Sequence, residues 1–357
     1  MKRTPLYDSH KKLNAKFTEF SGWEMPVQYT SVIDEHNAVR NTCGVFDTSH
    51  MGTFLISGEN SEKFLNSVTL GNMSNLPAGK ARYSMFLNEA GGIKDDIIVY
   101  KIAANDYMMV VNAGNLDEDW SWLNEHKNKI AGVKLSNILL DISLLAIQGP
   151  KAAEIVQSIS ETDIKDMKYF TVSELKLKDI NADFCRIART GYTGEDGFEI
   201  FISKDKAELL WQKLVDMSVK PCGLGARDSL RLEACMPLHG HEIDENINPI
   251  EAGFLKTINF DNDFIGKDAL LKIKDNPARK LIAFECLSGI ARNGNPVFDG
   301  DKKSGYVTSG TFSPALKKSI GMALVDAGAD ENNLEVEIHA NRRKIKTVQK
   351  PFYKRQK

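Results

Sequence analysis

Paired cysteines, long apolar runs and an excess of either charge are all missing from this chain of 357 residues. The five cysteines, Cys43, Cys185, Cys222, Cys235 and Cys286, are odd in number, far apart and form no C-x-x-C pair. Such spacing supports neither a disulfide framework nor a zinc site and points to reduced thiols in a reducing compartment. The opening Met1-Lys2-Arg3-Thr4-Pro5 leads into polar sequence with no apolar core for a signal peptide. The most apolar stretch, Ile138–Ile147, is interrupted by Asp141 and Ser143 and is too short to span a bilayer. A cytoplasmic location without membrane association is expected. Lys and Arg number 46 against 48 Asp and Glu, a net charge of -2, which gives no overall electrostatic reason to expect nucleic acid as a partner.

Three familiar chemistries are missing as well. Gly223-Leu224-Gly225-Ala226-Arg227-Asp228 resembles half of a dinucleotide fingerprint, but it lacks the third glycine and a preceding buried strand. Ser49-His50 has no acid at the spacing of a serine hydrolase. His239-Gly240-His241-Glu242 offers two histidines without a further organised donor set, so it reads as surface or hydrogen-bonded residues and no metal is expected.

What is present is an ordinary globular composition, 42% hydrophobic and 26% charged, at a length that suggests two or three domains. Thr53–Ile56, Tyr83–Leu87, Ile97–Ala103 and Tyr107–Val111 read as strands joined by turns such as Asn88-Glu89-Ala90-Gly91-Gly92, with Ser61–Val68 and Asn115–Lys127 as helices. Tight turns between consecutive strands predict antiparallel pairing. A similar grammar recurs in the strands Leu144–Ile147 and Phe198–Ile202 and in the helical faces around Ile155 and Leu210. Glycine turn, acidic doublet and β-run occur twice, at Asp95-Asp96 and at Glu195-Asp196, which suggests either two related lobes or chance similarity of hairpins. Beyond a charged stretch at 261–280, short β-runs from Leu281 to Ile338 separated by turns fit a small all-β barrel or jelly roll.

Side chains alternate along a strand, so Asp96, Ile98 and Tyr100 share one face and Ile97 and Val99 the other. If Ile97 and Val99 enter the core, Asp96 and Tyr100 point together at whatever lies opposite; an acid at the mouth of a hairpin is the plain alternative. In the glycine-rich segment Arg189-Thr190-Gly191-Tyr192-Thr193-Gly194-Glu195-Asp196-Gly197, backbone can approach closely, and Glu195 in the turn is expected to face water. Phe198, Ile200 and Ile202 form a core face that leaves Glu199 on the other side. There it is either a surface acid or a carboxylate that accepts paired hydrogen bonds from an amidine-like heterocycle. Arg227 sits near a helix start, where a cation needs an anionic companion. The basic run Arg342-Arg343-Lys344-Ile345-Lys346, with Lys354, Arg355 and Lys357, reads as a solvated edge strand and tail or as a surface that steers an acidic partner.

These segments resemble, in order and spacing, the glycine cleavage T-protein family. The resemblance is carried by Arg3-Thr4-Pro5-Leu6-Tyr7, by Phe20 through Tyr29, by Gly44-Val45-Phe46-Asp47-Thr48-Ser49-His50-Met51-Gly52 and by Gly91-Gly92-Ile93-Lys94-Asp95-Asp96. Gln148-Gly149-Pro150, Arg189 through Glu199, Gly223 through Asp228, Asn248 through Gly253, Thr308 through Pro314 and Lys350-Pro351-Phe352-Tyr353 complete it, so that it covers essentially the whole chain. It implies an α+β, three-domain cloverleaf of two antiparallel-sheet α/β lobes and a C-terminal all-β barrel or jelly roll. The implied boundaries are 1–50 with 140–274 for a folate-binding lobe, 51–139 for an inserted lobe carrying the catalytic acid, and 275–357 for the barrel.

The activity implied is a tetrahydrofolate-dependent aminomethyl transfer of the glycine cleavage system, from a lipoylated H-protein carrier and with no metal. Asp96 is implied as catalytic, Glu199 and Arg227 as folate-binding, and Tyr83, Asn112 and Tyr353 as pocket contributors. Lys94 stands where the family more usually has an aliphatic residue. Two other readings share the fold. One is a folate-dependent demethylase, which need not dock a carrier protein. The other is a non-enzymatic folate-binding iron–sulphur assembly factor, whose Lys-Gly-Cys-Tyr motif is replaced here by Arg189-Thr190-Gly191-Tyr192.

Overall fold

The structure, a computed structural model, describes residues 1–355, so that Lys357 of the basic tail lies outside the described residues. Two compact units are formed, one of Met1–Leu65, Asn72–Ser84 and Ile97–Asp228, the other of Asn66–Gly71, Met85–Asp96 and Ser229–Lys357. Among the described residues no helix is long and apolar enough to cross a membrane.

The chain opens with helix α1 (Tyr7–Lys12) and the hairpin β1 (Lys16–Phe20) and β2 (Trp23–Gln28), whose two turn residues Ser21 and Gly22 both have positive φ, 51° and 81°. That is the backbone a two-residue hairpin loop requires. Helix α2 (Val32–Asn41) is capped by Ser31, whose hydroxyl accepts from the Asp34 N–H at 3.1 Å. Strand β3 (Gly44–Asp47) follows, and then the first αβ layer: β4 (Gly52–Ser57), α3 (Ser61–Val68), β5 (Lys80–Leu87), β6 (Ile93–Ala103), β7 (Asp106–Val111), α4 (Leu116–Lys127) and β8 (Lys134–Asn137). A second layer runs β9 (Ile142–Gln148), α5 (Ala152–Ile159), β10 (Val172–Glu174), β11 (Cys185–Ala188), β12 (Gly197–Ser203), α6 (Lys204–Asp216) and β13 (Lys220–Pro221). Helix α7 (Leu224–Glu233) and helix α8 (Lys267–Ile273) precede six strands, β14 (Arg279–Cys286), β15 (Pro296–Asp299), β16 (Lys302–Ser313), β17 (Lys318–Asp326), β18 (Leu334–Ile338) and β19 (Asn341–Val348).

The two layers have one topology. The first sheet is ordered β5-β6-β7-β4-β8 and the second β10-β11-β12-β9-β3-β13, so each reads β-α-β-β-β-α-β along the chain, with β3 inserted into the second. Superposing the orders makes β6 the counterpart of β11 and β7 that of β12. The acidic doublets therefore belong to non-equivalent strands, Asp95-Asp96 within β6 and Glu195-Asp196 before β12: the strand order recurs, but one strand out of register from the pairing that the doublets suggest.

Both faces of the second sheet are covered. From β12, Phe198, Ile200 and Ile202 pack with Leu145 and Ile147 of β9 and with Val156, Leu210, Trp211 and Leu214 of the helices. From the opposite face, Phe201 packs with Leu144, Ala188, Met108, Val110 and Tyr100, so the first sheet covers it. This explains why β9 is buried at all seven positions, as a strand covered on both sides must be. At the first sheet's far face, Phe54 of β4 lies 5.0 Å from the Trp120 ring of α4.

The N-terminal helix is tied to β3 through one buried acid. Asp47 Oδ2 accepts from the Thr4 hydroxyl at 2.6 Å and meets His10 Nε2 at 2.9 Å, while its Oδ1 accepts from the Ser49 N–H at 2.9 Å. Tyr29 closes the chain with its hydroxyl 2.9 Å from His10 Nδ1. Burial alone would raise the Asp47 pKa; the His10 hydrogen bond and charge, with Ser49 and Thr4, hold it down to about 2.

In the other unit, β14–β19 form a closed barrel in the order β14-β17-β16-β15-β18-β19, with β19 returning to β14. Phe284, Val297, Val307, Val325, Val336 and Ile345 fill it. Strand β19 is therefore not an edge, contrary to one reading of its basic run. Its cations stand opposite acids instead: Arg342 opposite Glu337, Lys344 opposite Glu335 and Lys346 opposite Glu285. The two histidines of the His239–Glu242 segment differ: His239 Nε2 is buried without a hydrogen-bond partner among the described residues, whereas His241 is engaged. His241 Nδ1 lies 2.9 Å from the Thr308 carbonyl, and Glu242 binds Arg231 at 2.8 Å and the Thr308 hydroxyl at 2.6 Å. Among the described residues no group of three or more His, Cys, Asp and Glu side chains could hold a metal.

His50, next to the Asp47–Ser49 network of the first unit in sequence, is buried with Nδ1 lacking a hydrogen-bond partner among the described residues. Burial first, then the charge of Arg227, push its pKa down to about 4 from 6.5. An unfolded chain thus takes up this proton near pH 6.5 and the folded one only near 4, so the stability His50 confers is complete above 6.5 and lost as pH falls to 4. Over that interval the wild type should lose about 3 kcal/mol more unfolding free energy than His50→Gln, at about 1.4 kcal/mol per tenfold. Urea denaturation at a series of pH values measures it, and parallel curves would refute the assignment.

Candidate active site

The glycine-rich loop from Arg189 to Gly197 is drawn together by three clamps. Arg189 binds Asp196 bidentately, at 3.0 and 2.6 Å, closing the loop ends. Gln148, at the end of β9, donates from Nε2 to the Thr190 carbonyl at 3.1 Å and accepts from the Thr193 hydroxyl at 2.8 Å. A Cβ at Gly191 or Gly197 would come within 2.1 or 2.4 Å of the Gln148 side chain, so at both positions glycine is a matter of space. From α2, Arg40 Nη1 donates to the Thr193 carbonyl at 2.8 Å and to Glu195 Oε1 at 2.9 Å. The Glu195 side chain is only 4% exposed. It does not face water as its place in the turn suggests, because Arg40 holds it inward.

Glu199 follows on β12. It is 9% exposed, so the surface-acid reading does not hold: the face opposite Phe198 and Ile200 is itself a sheet-to-sheet interior. Its Oε2 accepts from the Thr190 hydroxyl and from the Tyr100 hydroxyl at 3.4 Å, and those two hydroxyls are 3.3 Å apart. Its Oε1 has no hydrogen-bond partner among the described residues. Burial, then the Glu199 charge, raise the Tyr100 pKa well above 10, which keeps that phenol a donor.

Arg227 lies in the first turn of α7 with its guanidinium 4.7 Å from the Tyr192 ring centroid. At the start of the same helix stands a buried anion, Glu35, whose Oε2 accepts from Gly223 N–H at 2.8 Å, the charge that a helix N-terminus favours. Glu35 Oε1 also accepts from Tyr29 and Thr30 N–H, at 2.7 and 3.0 Å. A Cβ on Gly223 would stand 2.4 Å from the Val27 backbone, and one on Gly225 would stand 2.5 Å from Val32. These glycines serve the close approach of helix to hairpin, which accounts for their resemblance to a phosphate loop. Tyr83 on β5 and Asn112 after β7 are both half-buried in the same unit.

In the second unit, Asp96 is half-buried on β6 beside the fully buried Asp95. The hairpin leading to it is clamped to 244–247: Ile93 N–H reaches the Asp244 and Ile247 carbonyls at 3.0 and 3.1 Å, and a Cβ on Gly92 would fall 1.8 Å from the Glu245 carbonyl. Lys94 meets Glu245 at 3.2 Å, so part of its charge is directed to that acid. Tyr353, half-buried, donates its backbone N–H to the Glu233 carbonyl at 2.9 Å.

Of the residues singled out in the sequence, Glu199, Arg227, Tyr83 and Asn112 belong to the first unit and Asp96 and Tyr353 to the second. Sequence reasoning gave no role to Thr190, Gln148, Arg40 or His50. Tyr100 had a usable signal in its parity with Asp96, but nothing in sequence names Glu199 as its partner.

Residues 6–262 match the GCVT N-terminal domain and residues 279–354 the glycine cleavage T-protein C-terminal barrel domain. The chain is similar to an aminomethyltransferase of Thermoanaerobacter pseudethanolicus, 44% identical over 99% of this chain and 98% of the relative. An aminomethyltransferase of Bacillus cytotoxicus is 45% identical over 100% and 99%. The crystal structure of glycine cleavage system aminomethyltransferase T from Bartonella henselae superposes with a TM-score of 0.92 at 32% identity, over 99% of each chain. With both domain models matched and relatives aligned from end to end, the chain belongs to the glycine cleavage T-protein family and is an aminomethyltransferase.

Proposed function

We propose that this aminomethyltransferase takes the one-carbon unit from an S-aminomethyl-dihydrolipoyl arm on the H-protein and delivers it to tetrahydrofolate, releasing ammonia and the dihydrolipoyl carrier. The observation that carries the reading is Glu199: a buried carboxylate with one oxygen engaged by two hydroxyls and the other open. Such a donor set fits a pterin, whose amidine-like edge presents adjacent N–H groups to an acceptor. Tetrahydrofolate supplies the amine that receives the carbon. Glu199 binds its pterin edge and Arg227 contributes the cation of the binding site, with Tyr83, Asn112 and Tyr353 as further contributors.

Asp96 is the catalytic carboxylate. As the carbon leaves sulfur and ammonia departs, positive charge develops on the unit in transit. A fixed anion stabilises that charge and orients the receiving amine, working by electrostatics and position with no covalent attack. Three lobes divide the work, 1–50 with 140–274 for folate, 51–139 for the catalytic acid, and 275–357. The first sheet's strands lie within 52–137 and the barrel's within 279–348, which supports the reading, whereas the two compact units group 85–96, with Asp96, with 229–357.

Mixing the protein with tetrahydrofolate and an aminomethyl-loaded carrier, and measuring ammonia, tests the reaction as a whole. Asp96→Asn should keep the fold and the tetrahydrofolate Kd while turnover falls on the order of 10²–10³, the loss expected for about 3–4 kcal/mol of electrostatic stabilisation. Unchanged turnover at saturating folate would sink the role of Asp96. Replacing Lys354, Arg355 and Lys357 by serine should raise the KM for the protein carrier roughly threefold at low salt, fading near 0.1 M, and leave a small free lipoyl-type donor unaffected. Equal losses with both donors would assign the tail to the fold instead.

A further inference from the structure

Glu199 sits at the meeting of two elements that owe their positions to other parts of the first unit. Tyr100 comes from β6 of the first sheet, and its ring is fixed edge-on to Phe201, centroids 5.7 Å apart at 78°, inside the sheet-to-sheet core. Thr190 comes from the glycine loop, and its backbone is fixed by the Gln148 amide at 3.1 Å. Both hydroxyls converge on the same carboxylate oxygen, Oε2, and on each other at 3.3 Å. All three side chains are buried, Thr190 at 6% exposure and Tyr100 at 0%.

We propose that Tyr100 and Thr190 are positioning residues for tetrahydrofolate binding: by engaging Oε2 from two sheets they fix the Glu199 carboxylate and reserve Oε1 as an acceptor for the pterin. The inference rests on the reading of Glu199 given above and adds to it which residues make that carboxylate selective. A free glutamate loses side-chain rotamer freedom when it binds a ligand, whereas one already held by two donors has lost it on folding. Saturating Oε2 with O–H donors also fixes the polarity of the exposed edge. An ionised carboxylate so held offers Oε1 as an acceptor only, so a ligand must bring N–H groups to it, and a heterocycle that presents an acceptor there leaves two lone-pair groups facing each other.

Titration calorimetry with tetrahydrofolate on five variants tests this, with thermal denaturation run alongside. Tyr100→Phe and Thr190→Val should each weaken binding roughly tenfold, the size expected for losing a hydrogen bond to a charged group. Thr190→Ser, which retains the hydroxyl, should bind as the wild type does. In a Glu199→Gln background, Tyr100→Phe should cost less than about twofold more, because its effect passes through the carboxylate. If Glu199→Gln weakens binding while Tyr100→Phe and Thr190→Val do not, the positioning role is wrong and the reading of Glu199 stands. If Glu199→Gln itself binds normally, that reading fails and takes this inference with it. A full tenfold loss from Tyr100→Phe in both backgrounds overturns positioning through Glu199. Should Tyr100→Phe fail to fold, the Thr190→Val and Thr190→Ser pair decides alone, since a merely structural threonine would not be rescued by serine in Kd while both melt alike.

Discussion

A strand buried on both faces leaves a charged side chain nowhere to go unless the interior itself provides its partners. Strand β12 is in that position: helices α5 and α6 cover Phe198, Ile200 and Ile202, and the first sheet covers the face of Phe201 and Glu199. Leaving a buried carboxylate without donors would cost several kcal/mol. The first sheet supplies Tyr100 and the glycine loop supplies Thr190. Much of the surrounding architecture follows from bringing those two hydroxyls to one point, including the β6 register that places Tyr100 on the inner face and the loop constriction imposed by Gln148 and Arg40.

Glycines carry the second constraint, and they do so for two different reasons. At Gly191 the missing Cβ makes room for a side chain, the Gln148 amide; at Gly223 and Gly92 it makes room for backbone, that of Val27 and of Glu245, and at Gly197 for both the Gln148 amide and the Ile147 carbonyl. Substitution at Gly223 or Gly92 has no flexible neighbour to move aside, so its cost falls on the main chain. Glu35 in turn stands where three N–H groups and the start of α7 favour an anion.

Most secondary structure was legible because its periodicities are strong: the β6 alternation of Ile97 and Val99 against Asp96 and Ile98, the helical face of Leu210, Trp211 and Leu214, and the turn-separated runs of the barrel. The site was legible only one residue at a time. Glu199 could be seen to oppose a core face, but the sequence of β12 alone does not say that the other face is also covered, since that depends on a sheet about a hundred residues earlier. For the same reason the ion pair of Arg40 with Glu195, 155 positions apart, could not be seen, and Glu195 looked like a solvated turn acid. The barrel's basic strand misled in the opposite direction, because the acids that stand opposite it lie on β18 and β14 and emerge only from the pairing register.

The recurrence of β-α-β-β-β-α-β in two consecutive layers has an evolutionary reading. A single ancestral module, duplicated in tandem, would have begun with two copies of every side chain, and therefore with matching acids or none at matching positions. Asp96 stands on the strand whose counterpart is β11, and Glu199 on the strand whose counterpart is β7. The two carboxylates thus stand on non-equivalent strands of the module, one in each layer. Neither acid is then a topological copy of the other, so the division proposed between charge stabilisation and ligand recognition does not follow the repeat.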